Sequence, residues 1–461
     1  MLWRVRGGSV LTSTIAAQAT SPGRSGVGII RVSGPSTKII AREILGKDIV
    51  ARSAVFCNFF SKDRKIIDQG LAIYFSAPQS FTGEDVLELH GHGGQVIMDL
   101  LLRRILELGA RLANPGEFTE RAFLNRKLDL IQTEAIADLI NAATEKAAQN
   151  AMRSLQGDFS KQINKLVALL IELRAQIEAA IDFAEEAEIE KSANQNFINN
   201  INNISLQIKQ LKNTAKQGVI LRDGVTAVIT GNPNAGKSSL FNCLSGQDAA
   251  IVTNIPGTTR DVLRAWIQID GLPVNVLDTA GLHDQPDLIE EEGIRRAWEE
   301  IKKADHVLLV VDASANQERD LNKLTKDFLK IISPKNSFTV LYNKIDLTGE
   351  EAKIIKGNNI DSIYLSTKTG SGLDLLKQHL KAKSGFCDAA DGFSARRRHL
   401  DALERAENYL QNIQNDLLDS NKLELIAEEL KHAQQALGEI TGEVTVDDLL
   451  NKIFSEFCVG K

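Results

Sequence analysis

The sequence predicts a multidomain protein that combines an α+β part, an all-helical part and an α/β part with a doubly wound sheet. Residues 14 to about 125 alternate β-rich runs with one helical pattern, as in α+β domains. Residues 128–211 carry an Ala-, Leu- and Glu-rich helical pattern, which returns at 397–418 and 423–437. Between these stretches, strands and helices alternate from Val225 to about Ala382, which is typical of a mostly parallel sheet.

The simplest organisation inserts the α/β part into a divided helical domain. We predict an N-terminal α+β domain at 1–125, helical segments at 126–220 and 385–461, and the α/β domain at 221–384. Within the first domain, strands are expected at 28–32, 70–75 and 85–91 and a helix at 96–108. A divided helical domain would let the last residues of the chain return to the N-terminal domain.

Composition limits the classes of partner. The net charge of −6 and the hydrophobic content of 43% indicate a globular protein that does not bind polyanions broadly. Any contact with nucleic acid should therefore be local. The densest basic cluster is Arg396-Arg397-Arg398-His399, which is either an RNA contact or a solvated helix start.

A cytoplasmic location without a membrane segment is expected. The four cysteines are far apart in the sequence and lack metal-binding spacing, which suits a reducing compartment. No apolar run approaches the roughly 20 residues of a membrane helix. The first 42 residues lack Asp and Glu, as transit peptides do, but a bacterial cytoplasmic protein with a variable extension at 1–13 is the preferred interpretation.

The most informative motif is Gly231-Asn232-Pro233-Asn234-Ala235-Gly236-Lys237-Ser238, between a predicted strand and a predicted helix. It fits the phosphate-binding loop G-x-x-x-x-G-K-[ST] in the context that this loop requires. Glycines let backbone N–H groups approach phosphate oxygens, and the helix N-terminus favours negative charge. Lys237 is expected to contact the β- and γ-phosphates, and the Ser238 hydroxyl to bind Mg²⁺.

A second motif selects the base. Asn343-Lys344-Ile345-Asp346 follows a predicted buried strand. The Asp346 carboxylate only accepts hydrogen bonds, so it matches the two adjacent donors of guanine and not adenine. Ser366-Thr367-Lys368 follows another short strand, where a backbone N–H is expected to contact the guanine carbonyl. The nucleotide is therefore predicted to be GTP.

Two further motifs complete the expected hydrolytic machinery. Asp278-Thr279-Ala280-Gly281 follows a strand, and Gly257-Thr258-Thr259 supplies Thr259 as a second Mg²⁺ ligand. Leu282 stands where Ras-like GTPases place the glutamine that orients the attacking water. Either His283 or one of the acidic residues at 290–292 would then have to orient the attacking water in place of that glutamine.

The chain as a whole resembles the MnmE (TrmE) family of tRNA-modifying GTPases, from about Thr14 to Lys461. Outside the GTPase motifs, the resemblance rests on several uncommon strings in the right order. These strings are GVGIIR at 26–31, FTGEDVLE at 81–88, HGHGG at 90–94, PGEF at 115–118, RAFLNRKLDL at 121–130, SARRRH at 394–399 and the terminal FCVGK at 457–461.

The resemblance implies that a K⁺ ion takes the role of an arginine finger, with Asn234, Thr253, Ile255 and Thr258 as its ligands. It also places the water-orienting glutamate at Glu290, which joins Lys237 as a catalytic residue. The GTP contacts implied by the motifs and the resemblance together are Asn234, Ala235, Gly236, Lys237, Ser238, Ser239, Thr253, Asn254, Ile255, Pro256, Gly257, Thr258, Thr259, Asp278, Thr279, Ala280, Gly281, Asn343, Lys344, Ile345, Asp346, Ser366, Thr367 and Lys368.

The resemblance further implies an N-terminal site for 5-formyl- or methylene-tetrahydrofolate, formed by Arg31, Glu88, Lys127 and Lys461. A homodimer would act with a flavin-dependent MnmG-type partner, as a heterotetramer, on carbon 5 of the tRNA wobble uridine. The product would carry an aminomethyl or carboxymethylaminomethyl group. The alternatives are a ribosome-assembly GTPase without modification chemistry and a folate-dependent transferase whose GTPase is only regulatory. Cys458 is a candidate for the chemistry, against the plainer interpretation of a small core residue.

Overall fold

The computed structural model describes residues 13–182, 190–251, 263–278, 299–315, 336–357, 360–387, 392–416 and 423–443, and Leu450, Ile453, Phe454, Phe457 and Gly460. These residues form two compact units. The first unit contains the described residues within Met1–Ala137, Leu155–Asn194 and Asn412–Lys461. The second contains those within Asp138–Ser154 and Gln195–Gln411.

The first unit is built on a six-stranded sheet in the order β3-β4-β5-β2-β1-β6. Its β1–β6 pair is parallel, and its other pairs are antiparallel. Helices α1 and α2 cover one face, where Ile30, Leu87 and Leu101 belong to the core. The strands are β1 (Ile15–Gln18), β2 (Gly28–Ser33), β3 (Val55–Phe60), β4 (Ile66–Phe75), β5 (Val86–Gly91) and β6 (Arg111–Leu112), and the helices are α1 (Thr37–Leu45), α2 (Gln95–Glu107) and α3 (Glu117–Leu124). The predicted α+β class is confirmed.

The long helical pattern at 128–211 forms four helices. They are α4 (Leu130–Ile140), α5 (Glu145–Leu155), α6 (Asp158–Asp182) and α7 (Glu190–Asp223). In α6, buried residues recur every three or four positions at Ile163, Leu166, Leu170, Leu173 and Ile177, which gives the helix one apolar face.

The second unit contains an eight-stranded sheet in the order β13-β14-β12-β11-β7-β10-β9-β8. Five adjacent strands, from β14 to β10, are parallel, and β13, β9 and β8 join the edges antiparallel. The predicted mostly parallel sheet is therefore confirmed. The elements are β7 (Val225–Gly231), α8 (Lys237–Asp248), β8 (Ala249–Ile251), β9 (Leu263–Ile269), β10 (Leu272–Asp278), β11 (His306–Asp312), β12 (Ser337–Asn343), α9 (Ile345–Thr348), β13 (Lys353–Ile355), β14 (Asp361–Tyr364) and α10 (Leu373–Lys383).

The central strands of this sheet are apolar because they are covered on both faces. Leu308 and Val310 of β11 face one core, and Val307 and Leu309 face the other. Such a continuous apolar run is expected for parallel strands buried on both sides. The carboxyl ends of β7, β10, β11 and β12 meet at one edge, where ligands bind in open α/β sheets.

The helical pattern returns as α11 (Arg397–Asp416) and α12 (Leu423–Thr441). In the first unit, α12 packs along α6, and Arg174 donates a hydrogen bond to Gln434 over 2.8 Å. Towards the end of the chain, Ile453 and Phe454 are buried in one apolar cluster with Leu130.

The basic cluster at 396–399 is partly structural. Arg396 is buried, and its guanidinium contacts Asp138 Oδ1 at 3.0 Å. Ser394 and Arg222 bind the same carboxylate at 2.6 and 2.8 Å. Two of the four residues, Arg396 and His399, are buried, so neither of the interpretations considered for this cluster describes it as a whole.

Two buried histidines form a chain of hydrogen bonds in the second unit. The Thr339 hydroxyl lies 2.8 Å from His306 Nε2 and 2.9 Å from His379 Nε2. Burial, helped by His379 and Lys383, lowers the pKa of His306 to about 3. His306 is therefore neutral at physiological pH.

This pKa predicts acid sensitivity. Between pH 6.5 and about 3 the unfolded chain binds a proton at His306 that the folded chain does not. The free energy of unfolding should therefore decrease as the pH is lowered through this range, by about 2 kcal/mol between pH 6.5 and pH 5. Urea denaturation at pH 7 and pH 5 should show that the free energy of unfolding depends less on pH in His306→Gln than in the wild type. His432→Gln, at an exposed histidine of α12, should behave as wild type; equal pH dependence in all three proteins would contradict the assignment.

Candidate functional site

The loop between β7 and α8 lies against the ends of β11 and β12, with no room for side chains at its two motif glycines. A Cβ at Gly231 (φ 141°) would lie 2.2 Å from Val310 O, and one at Gly236 (φ 98°) would lie 2.2 Å from Asn343 Nδ2. Both backbones also have positive φ, which glycine adopts without strain. The two glycines are therefore required by the geometry of the loop.

Lys237 is held inside this loop. It is buried at the first turn of α8, and its Nζ donates to Asn232 O over 3.0 Å. Ser238 and Ser239 follow it and are exposed. Asn234 is exposed at the tip of the loop with a left-handed φ of 62°. An ammonium beside a helix N-terminus forms the environment that a phosphate group needs.

Asn343 connects the phosphate loop to the loop that follows β14. Its Nδ2 donates to Ala235 O at 2.9 Å, and its Oδ1 accepts from the Thr367 N–H at 3.0 Å. The side chain is fully buried. One amide thus sets the distance between the loop predicted to bind phosphate and the loop predicted to bind the base.

Asp346 is oriented by a hydroxyl group. Ser366 Oγ donates to Asp346 Oδ1 over 2.6 Å, and Asp346 remains exposed. A carboxylate fixed in this way at the sheet edge can accept from two adjacent donors of a base.

Lys344 forms an ion pair that the sequence did not reveal. Its Nζ lies 2.6 Å from Asp312 Oδ2 at the end of β11, and Ser314 donates to Asp312 Oδ1 through its N–H and hydroxyl. Burial raises the pKa of Asp312, but the bonds from Lys344 and Ser314 outweigh burial and lower it to about 2. The only signal for Asp312 was its place after a buried strand at the same edge.

In the loop after β14, two of the three backbone N–H groups predicted as donors to the guanine carbonyl already have acceptors. The Ser366 N–H donates to Ser371 O and the Thr367 N–H donates to Asn343. Among the three predicted N–H groups, that of Lys368 has no acceptor in the described part of the chain. Lys368 is therefore the residue best placed to offer its N–H to a base.

Asp278 ends β10 beside the phosphate loop. It pairs with Ile229 of β7, two residues before Gly231, and it is fully buried. Ile345 follows the ion-paired Lys344 and is buried. The remaining predicted GTP, Mg²⁺ and K⁺ residues lie outside the described residues, as do Leu282 and His283. They are Thr253, Asn254, Ile255, Pro256, Gly257, Thr258, Thr259, Thr279, Ala280, Gly281 and Glu290.

A second polar site lies in the first unit, on the face of the sheet away from α1 and α2. Arg31 of β2 and Glu88 of β5 are paired in register and joined by an ion pair of 2.9 Å. His90 Nε2 lies 3.2 Å from the other Glu88 oxygen. The Arg31 guanidinium also lies 5.5 Å from the Phe81 ring and 5.8 Å from the Phe118 ring. His90 was not predicted as part of this site, although its spacing from Glu88 places both on one face of the strand.

Of the other residues predicted for this site, Lys127 donates from Nζ to Pro78 O over 3.1 Å. Cys458 and Lys461 lie outside the described residues, but Gly460 is described. A Cβ at Gly460 (φ 100°) would lie 2.2 Å from Gln18 O, so Gly460 lies against the end of β1.

The parallel sheet, the glycine-dependent phosphate loop and the Asn343–Asp346 motif define a P-loop GTPase. Residues 14–127 match the family described as "GTP-binding protein TrmE N-terminus", and residues 130–458 match "MnmE helical domain". The chain belongs to the MnmE family of tRNA modification GTPases, and it is a GTP hydrolase that acts in tRNA modification.

Two relatives match this chain over nearly its whole length, and one solved structure matches about a third of it. The tRNA modification GTPase MnmE of Histophilus somni (strain 129Pt) is 54% identical, with 97% of this chain and 99% of that relative covered. The protein of the same name from Coxiella burnetii (strain Dugway 5J108-111) is also 54% identical, over 98% of this chain and 99% of the relative. The solved G domain of the T. maritima FeoB iron transporter is 29% identical, with a TM-score of 0.27 and coverage of 35% of this chain and 98% of that one.

Among the described residues, no helix has both the length and the apolarity required to cross a bilayer.

Asn343→Ala should weaken both the fold of the second unit and nucleotide binding. The substitution leaves Ala235 O and the Thr367 N–H without their partner. Each buried polar group without a partner costs about 1–3 kcal/mol of stability. We expect the free energy of unfolding to fall by about 2–4 kcal/mol and GDP affinity to fall at least about tenfold. Denaturation and calorimetric titration measure the two effects.

The matched control is Asn336→Ala, which removes one hydrogen bond of 3.3 Å to Lys302 O near the surface. It should change stability by less than about 0.5 kcal/mol. Equal effects of the two alanine variants would contradict the bridging role of Asn343.

Proposed function

We propose that this protein is a K⁺-dependent GTPase that acts with a flavin-dependent MnmG-type partner on the wobble uridine of tRNA in the cytoplasm. The pair adds an aminomethyl or carboxymethylaminomethyl group to carbon 5 of the base. A one-carbon tetrahydrofolate supplies the methylene carbon. GTP hydrolysis moves the G domains and does not itself form the new carbon bond. The ion pair of Arg31 and Glu88 is the observation that carries the folate part of this proposal.

The donors at the phosphate loop suit Mg²⁺. Ser238 presents an exposed hydroxyl at the first turn of α8, and Thr259 is the second protein ligand that we propose. Hydroxyl and phosphate oxygens are the hard ligands that Mg²⁺ prefers. When bound, Mg²⁺ neutralises charge on the phosphates. Lys237 contributes a fixed ammonium at the same place.

The tip of the phosphate loop suits K⁺. Asn234 is exposed there in a left-handed conformation, so its amide oxygen is available to a cation. With Thr253, Ile255 and Thr258 it would provide amide, hydroxyl and carbonyl oxygens. A cation at this place stabilises the negative charge that develops during phosphoryl transfer. Glu290 orients the water in place of the glutamine that Leu282 replaces.

The Arg31–Glu88 pair supports folate binding. Arginine matches carboxylates such as the glutamate tail of folate, and a carboxylate such as Glu88 accepts from the donors of a pterin. Both side chains are mostly buried, at 22% and 16% exposure, and aromatic rings flank the guanidinium. Lys127 and Lys461 would add positive charge for the same ligand.

The same face of the sheet supports a homodimer. Phe56 and Leu71 are paired across β3 and β4 and are 66% and 41% exposed. Leu71 is in turn opposite His90 of β5. An exposed apolar patch beside a polar binding site is characteristic of an interface. A second copy of this chain on that face would enclose the folate site. The flavin-dependent MnmG-type protein would then join the homodimer to form a heterotetramer and add its own chemistry.

The direct test is nucleoside mass spectrometry of tRNA from cells that lack this protein. Wild type should restore the modified wobble uridine, and Glu88→Gln should not, because the amide removes the negative charge and replaces one of the two acceptor oxygens for the pterin with a donor. Glu43→Gln, at an exposed glutamate of α1, is the matched control and should restore it fully. Unchanged modification in the deletion strain would refute the proposal. Loss of the product with Cys458→Ser, at normal protein level, would support a role for that thiol.

The ion requirement has its own test. GTP turnover should be at least about tenfold faster in K⁺ than in Na⁺, since a charge at this position acts on the transition state. Asn234→Gly keeps the left-handed backbone but removes the ligand, so it should lose the K⁺ stimulation. Asn232→Ala changes an exposed side chain of the same loop and should keep it. Equal turnover in the two salts for wild type would rule out the ion assignment.

A further inference from the structure

A carboxylate at the end of β11 holds the lysine of the base-recognition motif. Lys344 Nζ lies 2.6 Å from Asp312 Oδ2. The other carboxylate oxygen accepts from the Ser314 N–H at 2.9 Å and from the Ser314 hydroxyl at 2.6 Å. Surface ion pairs usually contribute little, because holding two long side chains in one geometry costs entropy. In this pair Ser314 already fixes the carboxylate, so only the lysine side chain has to be ordered.

The strand ends place this ion pair between the phosphate loop and the base-recognition motif. Val310 is in register with Gly231 of β7, and Asp312 is in register with Asn343 of β12. The Ala313 N–H donates to Asn343 O over 2.8 Å. Asp312 is therefore two residues, or about 7 Å, beyond the strand position that the phosphate loop contacts.

Lys344 turns the chain at the same edge of the sheet. Its φ of 70° is left-handed and it is the N-cap of α9, a conformation that is uncommon for a residue with a Cβ. Asn343 before it contacts the phosphate loop at Ala235 O, and Asp346 after it lies in the first turn of α9. A nucleotide with its phosphates in the loop at 231–238 and its base edge at Asp346 therefore passes Lys344.

The ion pair gives the lysine ammonium a partner inside the protein. Burial raises the pKa of Asp312, but the bonds from Lys344 and Ser314 outweigh burial and lower the pKa to about 2. Asp312 is thus ionised at physiological pH and balances the charge of Lys344. The lysine side chain is still 31% exposed, and the methylene groups of a lysine pack along apolar surfaces. The face of a purine is such a surface.

We propose that Asp312 is a positioning residue for guanine nucleotide binding. It takes up the charge of Lys344 and fixes that side chain, so that the lysine borders the base with its hydrocarbon stem and not with its ammonium. The two groups act as a neutral pair, and the nucleotide needs neither charge by itself. This role concerns the binding of the nucleoside and not the hydrolytic step, and it is independent of the proposed tRNA chemistry.

Calorimetric titration of the full chain with GDP tests the charge balance. Asp312→Asn should lower the affinity about tenfold, because Lys344 loses its anchor. Lys344→Met keeps an unbranched stem but leaves a carboxylate unpaired near the phosphates, so it should also lower the affinity about tenfold. The double variant Asp312→Asn/Lys344→Met is neutral at both positions and should bind GDP within about threefold of the wild type. Circular dichroism verifies that each variant is folded.

Two results of this titration would overturn the proposal. A double variant that binds GDP no better than Lys344→Met would show that the ammonium itself contacts the nucleotide. Wild-type affinity in Asp312→Asn would show that the anchor is not needed.

The dependence on salt distinguishes an unpaired charge from a general loss of structure. In Lys344→Met the carboxylate of Asp312 repels the phosphates, and salt screens this repulsion. Raising the salt concentration from about 0.05 M to about 0.5 M should therefore raise the GDP affinity of Lys344→Met relative to the wild type. The double variant should follow the wild type. Equal salt dependence in Lys344→Met and in the double variant would contradict the role of Asp312.

Comparison of GDP with IDP, which lacks the exocyclic amine of guanine, locates the effect on the base. Asp346 is predicted to accept from that amine, so Asp346→Asn should weaken the binding of GDP more than that of IDP. Asp312→Asn acts at the face of the base and should weaken the binding of both nucleotides by the same factor. A loss confined to GDP would place Asp312 in the recognition of the base edge and overturn the proposal.

The matched control is another aspartate–lysine pair of the second unit. Lys381 Nζ lies 2.9 Å from Asp270 Oδ2, and the aspartate side chain is 67% exposed. Asp270 has a left-handed φ of 46°, which asparagine tolerates. Asp270→Asn should leave the GDP affinity within about twofold of the wild type. A loss as large as that of Asp312→Asn would mean that the affinity responds to any lost ion pair, and the assignment to Asp312 would fail.

Discussion

The nucleotide site depends on how closely the backbone of the phosphate loop approaches the ends of β11 and β12. Gly231 and Gly236 leave no space for a Cβ against Val310 and Asn343. This contact lets the Asn343 amide reach Ala235 on one side and Thr367 on the other. Any displacement of the phosphate loop would therefore change the position of the base-recognition loop as well.

The charged side chains of the site are also held in place at this edge of the sheet. Lys237 is held by the loop itself, and Lys344 is held by Asp312 at the end of β11. Each ammonium has a fixed partner, so its position does not depend on a bound nucleotide. Pre-arranged charges of this kind need little reorganisation when negative charge develops. Because carboxyl ends of parallel strands meet at one edge, residues far apart in sequence contribute to a single site.

The sequence was sufficient for the motifs and for the longer elements, but it missed short ones such as β1 and β6 and the contacts between distant residues. The predicted helix at 96–108 corresponds to α2 at Gln95–Glu107, and the predicted strand at 85–91 corresponds to β5 at Val86–Gly91. Hydrophobic period and glycine placement determine such features locally.

The pairs Lys344–Asp312 and Arg396–Asp138 join residues 32 and 258 positions apart. Their partners are selected by tertiary packing, which no local pattern encodes. For the same reason, a basic cluster that looked uniform in the sequence contains both buried and exposed arginines. Likewise, only the structure shows that the N–H groups of Ser366 and Thr367 already have acceptors.

The most direct test of the central claim is the affinity of the full chain for GDP when a Cβ is added at Gly236. Gly246 lies in α8, the helix that follows the phosphate loop, and has nothing within 4 Å of an added Cβ. Gly246→Ala is therefore the matched control. Close approach of the phosphate loop predicts that Gly236→Ala lowers the affinity at least about 100-fold, or about 2.7 kcal/mol, while Gly246→Ala changes it less than twofold. Wild-type affinity in Gly236→Ala would contradict the account.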